Sequence, residues 1–122
     1  VKSNIDSGTF GAVQDAGIVA LSSPTEVVHA IRRVYQQRIE ILYKALKDIG
    51  LELEKPRATL YLWAWVGGSS IDYAAKLLER TGIVATPGVG FGKYGEGYVR
   101  FSITRETKRV EEAARRLEKM RD

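Results

Sequence analysis

Arg100 is the side chain best placed to do chemistry. It comes just after Pro87 and glycines at 88, 90, 92, 95 and 97. Glycine tolerates positive φ and lets backbone approach a ligand, at an entropic cost. A run this dense is either a mobile loop or a loop shaped around something. Tyr98-Val99-Arg100-Phe101-Ser102-Ile103 then alternates as a strand does. Val99, Phe101 and Ile103 share one face, and Tyr98, Arg100 and Ser102 the other. Arg100 is thus expected on a rigid element at the edge of the glycine loop. A guanidinium there suits a planar carboxylate or a phosphate, because its fork makes two parallel charge-assisted hydrogen bonds. The competing reading is a solvated sheet face.

The elements that position this arginine follow from pattern. Phe10, Val13, Gly17 and Leu21 recur at helical spacing behind a cap at Asp6 or Ser7, with Val1–Asn4 extended. Ser23-Pro24-Thr25-Glu26 reads as a capping box with proline at the first helical position. A helix of roughly 26 residues, about 39 Å at 1.5 Å per residue, should run from there to Gly50. Arg32, Arg33, Gln36, Gln37 and Arg38 lie mid-helix, so it either bridges two bodies or covers a sheet. Ala58–Val66 is apolar on both faces, as a doubly covered central strand would be. Its Tyr61, Trp63 and Trp65 share a face, and core packing is expected to claim them rather than base stacking. Ser69 or Ser70 caps a helix to Thr81, closed by Gly82. Ile83–Thr86 is a short strand. A last helix starts at Thr104 or Thr107, with Val110, Ala114, Leu117 and Met120 inward. The order α-α-β-α-β-β-α predicts an α/β, two-layer sandwich: a three-stranded sheet with helices on one side.

Composition excludes several chemistries. The chain has 122 residues, 44% hydrophobic and 28% charged, and a net charge of +4. That permits an anionic ligand without requiring nucleic acid. There is no cysteine and only His29, so thiolate and histidine-rich metal sites are out. No metal site is expected. No apolar run approaches 18 residues, which makes a soluble, cytoplasmic protein the expectation and a membrane partner unexpected. A first residue of Val1 suggests a piece of something longer.

Gly90-Phe91-Gly92-Lys93-Tyr94-Gly95 spells G-x-G-x-x-G, but a dinucleotide site needs a helix directly after it, and here a strand follows. A kinase loop would need H-R-D and D-F-G, which are missing. The echo of an RNA-recognition strand in G-F-G and Y-V-R-F is broken by K-Y-G-E-G. No Ser–His–Asp set or carboxylate pair emerges. The residues alone describe an anion-binding α/β domain.

Two blocks go further. V-K-S-N-I-D-S-G-T-F-G-A-V-Q-D-A-G-I at 1–18 and P-G-V-G-F-G-K-Y-G-E-G-Y-V-R-F-S at 87–102 resemble the C-terminal part of fold-type I, pyridoxal-phosphate-dependent aminotransferases of class I/II. The S-N-x-D-S-G wording is most similar to the LL-diaminopimelate and aspartate aminotransferase branch. Gly67-Gly68 departs from the proline-containing turn of many relatives. The resemblance implies that residues 1–22 form a helix of the large-domain and dimer region. It implies a long bridging helix at 23–50 and a small C-terminal α/β domain at 51–122. It assigns Arg100 to the substrate α-carboxylate, Asn4 to cofactor and substrate, and Phe91 and Gly92 to the surroundings of the substrate side chain. The partners implied are amino-acid and 2-oxo-acid substrates, a missing N-terminal large domain and a second copy in a homodimer.

The family carries pyridoxal phosphate on a lysine in an S-K-x-x-x-x-x-G-x-R context, and no lysine here has that setting; Lys2 in V-K-S-N does not match. The segment is therefore expected to hold no catalytic residue and to be inactive alone. The alternative is a stand-alone carboxylate-binding or nucleic-acid-binding module without catalysis.

Overall fold

The computed structural model describes residues 8–121. The chain forms two compact units, 1–32 and 33–122. Asn4, the extended stretch 1–4 and the caps proposed at Asp6 or Ser7 lie outside the described residues.

In the first unit, α1 (Gly11–Ser22) buries none of its residues. Phe10, Ile18, Val19 and Leu21 are all exposed, Leu21 at 91%. Ser23 does not behave as the expected capping-box acceptor. Its hydroxyl donates to the Val19 carbonyl, 2.8 Å away, and so closes α1. Serine hydroxyls commonly bond back to a carbonyl four residues earlier. The next helix, α2, is Thr25–Asp48, 24 residues long.

The second unit holds the sheet. Its strands are β1 (Glu52–Leu53), β2 (Tyr61–Trp65), β3 (Thr86–Pro87) and β4 (Tyr98–Ser102), in the order β1-β2-β4-β3. All three pairings are antiparallel. The sheet therefore has one strand more than expected. Pro56 separates Glu52–Leu53 from β2, but two residues suffice to pair with Trp65 and Ala64. The short strand expected at Ile83–Thr86 pairs only from Thr86, and β2 starts at Tyr61 rather than Ala58.

Helices α3 (Ser70–Thr81) and α4 (Thr107–Leu117) pack with the second part of α2 on one sheet face. The core joins Leu46 of α2, Leu62 of β2, Leu77 of α3, Val99 and Phe101 of β4 and Leu117 of α4. Helix α3 has the ends its sequence promised. Ser69 accepts from the Asp72 N–H at 3.2 Å, and Gly82 takes the left-handed C-cap at φ 68°. Arg38 ties α2 to α4, donating from Nε to Thr107 Oγ1 at 3.1 Å and from Nη1 to the Ile103 carbonyl at 3.4 Å. Val110, Leu117 and Met120 are buried as expected, and Ala114 is half-buried.

The opposite sheet face corrects the expectation for β2. Tyr61, Trp63 and Trp65 are not core residues and retain 38, 37 and 42% exposure. A continuous apolar run predicts burial on both sides. Tyrosine and tryptophan also satisfy that pattern where they build a half-open binding face, because each carries a polar handle.

Candidate functional site

Arg100 stands at the centre of the half-open face. Its strand is held on both sides: Arg100 lies opposite Trp63 of β2 and opposite Thr86 of β3. Its backbone is therefore fixed by two ladders, which is what a positioned ligand group needs. The guanidinium carbon lies 4.2 Å from the Tyr61 ring centroid and 4.6 Å from that of Phe91. Both are within cation–π range. Arg100 Nε is buried and meets no hydrogen-bond partner among the described residues. Three ion pairs join other described residues, Lys55–Glu40, Arg109–Glu112 and Arg116–Glu112, and Arg100 is in none of them. A buried donor without an acceptor is costly and calls for an explanation.

The aromatic residues form a connected row. Trp63 stacks on Tyr98 with centroids 5.4 Å apart, Trp65 meets Tyr98 edge-on at 4.8 Å, and Phe91 meets Trp63 edge-on at 5.5 Å. Phe91 thus touches both Trp63 and the guanidinium. An open groove of about 1140 Å³ runs along this face, lined by Tyr61, Trp63, Trp65 and Tyr98 and by charged residues of both signs, Lys55, Arg57, Glu52 and Glu54. Its lining stops short of Arg100. Thr59, which also lines the groove, has φ 128° although it is not glycine. Strain of this kind concentrates where structure serves a ligand.

The glycine loop is shaped rather than loose. It folds into two 3₁₀ turns, Gly88–Phe91 and Lys93–Gly95. Gly88 and Gly95 press backbone against backbone, and a Cβ on either would fall on the other's carbonyl oxygen. Glu96 fastens the loop to α3. Its Oε1 accepts the Ser70 N–H at 2.6 Å and the Gly97 N–H at 3.4 Å, while Ser70 Oγ accepts the Val89 N–H at 3.3 Å. The Ser70 backbone bond is the main reason that the Glu96 carboxyl titrates below its ordinary value of 4.5. Gly92, at φ 108°, lies between the two turns with open space around it.

Of the residues singled out by sequence, the structure brings Arg100 and Phe91 together and leaves Gly92 one residue beyond. Sequence reasoning missed Tyr61 as a neighbour of Arg100, and Glu96 as the loop's anchor. Alternation had already placed Tyr61 and Arg100 each on a strand face. The missing signal was the register of β2 against β4. Among the described residues no group of acidic or histidine side chains could hold a metal. No described helix is long and apolar enough to cross a membrane.

A small antiparallel sheet with helices on one face, preceded by a long helix, is an arrangement shared with aminotransferase domains. Residues 3–117 match the profile of the family described as Aminotransferase class I and II, and the chain belongs to that family. It is 52% identical to LL-diaminopimelate aminotransferase of Aquifex aeolicus over 123 aligned positions, covering 99% of this chain and 32% of that protein. Among solved structures it resembles a probable N-succinyldiaminopimelate aminotransferase of Thermus thermophilus. That match has TM-score 0.86 and 38% identity, covering 98% of this chain and 32% of the other. It likewise resembles L,L-diaminopimelate aminotransferase of Chlamydomonas reinhardtii, with TM-score 0.84 and 31% identity, covering 94% and 29%. The chain spans about a third of the length of the curated relatives it matches.

Every lysine among the described residues is exposed. An amine that carries pyridoxal phosphate needs a sheltered pocket to lower its pKa. Among the described residues no lysine has that shelter.

Proposed function

We propose that this chain is the C-terminal part of a pyridoxal-phosphate-dependent aminotransferase in which Arg100 binds the α-carboxylate of the amino-acid substrate. The observation that carries this reading is the guanidinium itself. It is ring-flanked, set on a doubly paired strand, and its buried Nε has no acceptor among the described residues. The names of the relatives favour a diamino dicarboxylic acid of the diaminopimelate type as amino donor, with a 2-oxo acid as acceptor.

When bound, pyridoxal phosphate supplies an electron-withdrawing ring that stabilises negative charge at the substrate's α-carbon. This chain's part is orientation. A bidentate arginine fixes the plane of the carboxylate and so the direction of the bonds at the adjacent carbon. Phe91 and Tyr61 keep water off the guanidinium, which strengthens its pull on the carboxylate. Asn4 is assigned to the cofactor and substrate by family likeness. The cofactor's lysine belongs to the remainder of the protein, along with most of the large domain. A homodimer with shared active sites fits the family, and the exposed apolar residues of α1 suit a covered surface.

Arg100→Lys in the complete gene product should raise KM and lower kcat, because an ammonium cannot reproduce the fork. Wild-type kinetics after that change would refute the assignment. The 122-residue chain alone should show no transamination with added pyridoxal phosphate. Turnover, with cofactor trapped covalently by borohydride, would show that the segment is sufficient.

A further inference from the structure

Holding an arginine ready for a ligand poses a physical problem. A long cation must be fixed in place, yet its charge and its five N–H donors must stay available. An aspartate or glutamate partner would fix it but would neutralise it and occupy the fork. Among the described residues no acidic side chain pairs with Arg100. Two aromatic rings lie against it instead, at 4.2 Å for Tyr61 and 4.6 Å for Phe91. A ring attracts a guanidinium through its electron-rich face while leaving the in-plane N–H edges for a carboxylate.

The two rings are themselves fixed by different parts of the chain. Tyr61 is on the central strand β2, opposite Ser102 and so diagonal to Arg100. Cross-strand diagonal neighbours lie within reach of aromatic and long side chains. Two residues before it, Thr59 carries the φ of 128°. Phe91 ends the first 3₁₀ turn of the glycine loop and is braced edge-on by Trp63 at 5.5 Å. That turn is anchored to α3 through the Ser70–Val89 bond.

Resting on the carboxylate reading of Arg100, we propose that Tyr61, assisted by Phe91, is a positioning residue that holds the guanidinium by its π face so that the fork and the charge remain free for substrate. The Tyr61 hydroxyl plays no part in this; the electron density of the ring does. Neither residue touches the reacting atoms.

The test alters electron density at constant shape. In the complete gene product, residue 61 is replaced by phenylalanine and then by phenylalanines carrying one, two and three ring fluorines. The dissociation constant of glutarate, a carboxylate that cannot be transaminated, is measured for each by calorimetry, together with KM and kcat for the amino donor. With Tyr61→Phe as the reference for the series, the added fluorines should weaken glutarate and raise KM stepwise, by about 2- to 30-fold in all, the span of a cation–π contact. The change in kcat should be smaller. Arg100→Lys runs alongside. A flat fluorine series with a strong Arg100→Lys effect would mean that Tyr61 only fills space, and the inference would be wrong while the carboxylate reading stood. A flat series with an inert Arg100→Lys would remove the carboxylate reading, and the inference with it.

Discussion

Strands β2 and β4 present two faces made by alternate residues of the same ten positions. Leu62, Ala64, Val99 and Phe101 are at most 3% exposed, whereas Trp63 and Trp65, across the backbone from them, remain 37% and 42% exposed. One face is wholly apolar and closed by three helices. The other is largely aromatic, is open among the described residues, and carries Arg100 with a buried donor that lacks an acceptor. A period-two pattern thus encodes two products at once: a closed core, and a half-open face whose side chains are expected to contribute little to stability.

Substitutions should separate the two faces sharply. Leu62→Ala, on the closed face, should cost about 2–5 kcal/mol, the range for emptying a packed leucine site. Urea unfolding of the chain measures it. Arg100→Leu, on the open face, should leave stability within about 1 kcal/mol or improve it, since an unsatisfied buried donor is removed. Comparable losses from both changes would erase the distinction. Gly88→Ala comes next, at about 1–3 kcal/mol, because backbone at Gly95 has to move to admit the methyl group. It should also weaken carboxylate binding by displacing Phe91, so calorimetry with glutarate and thermal unfolding should both respond.

Glu96 offers a pH signature on the loop side. Its folded-state pKa lies below the ordinary 4.5, chiefly through the Ser70 N–H bond. A carboxyl lowered by folding contributes stability that is complete above its unfolded pKa and lost as pH falls through the folded value. The loss should therefore appear below about pH 4.5. Glu96→Gln should flatten that acid limb of a stability–pH profile and leave the profile's neutral shape unchanged. An unaltered acid limb would show that another group dominates. The smallest effect belongs to the solvated face of α4. Glu112 pairs there with Arg109 at 2.6 Å and also with Arg116. Glu112→Ala should cost no more than about 1 kcal/mol, and less at high salt.

Much of this was readable before any coordinates. The alternation over residues 98–103 put Val99, Phe101 and Ile103 on one face and Arg100 on the other, and Ser69 or Ser70 with Gly82 marked the ends of α3, because caps and strand periods are local physics. Other features were not local. Whether Tyr61, Trp63 and Trp65 were core or surface depended on what covers the second sheet face. Tyr61 meets Arg100 only through the antiparallel register of β2 and β4, which no single-strand pattern reveals. Ser23 matched a capping box in letters, but its hydroxyl found the Val19 carbonyl first. The two-residue strand Glu52–Leu53 is too short to show a period at all.

In the complete protein the Arg100 fork should be open to a substrate carboxylate. The most direct measurement is the Arg100 Nε–H resonance in the nitrogen-15-labelled complete gene product, titrated with the amino-acid substrate. A saturable downfield shift is expected as the donor gains an acceptor, with the same midpoint as binding measured by calorimetry, and its loss in Arg100→Lys. Substrate binding that leaves the Nε–H resonance unmoved would contradict it.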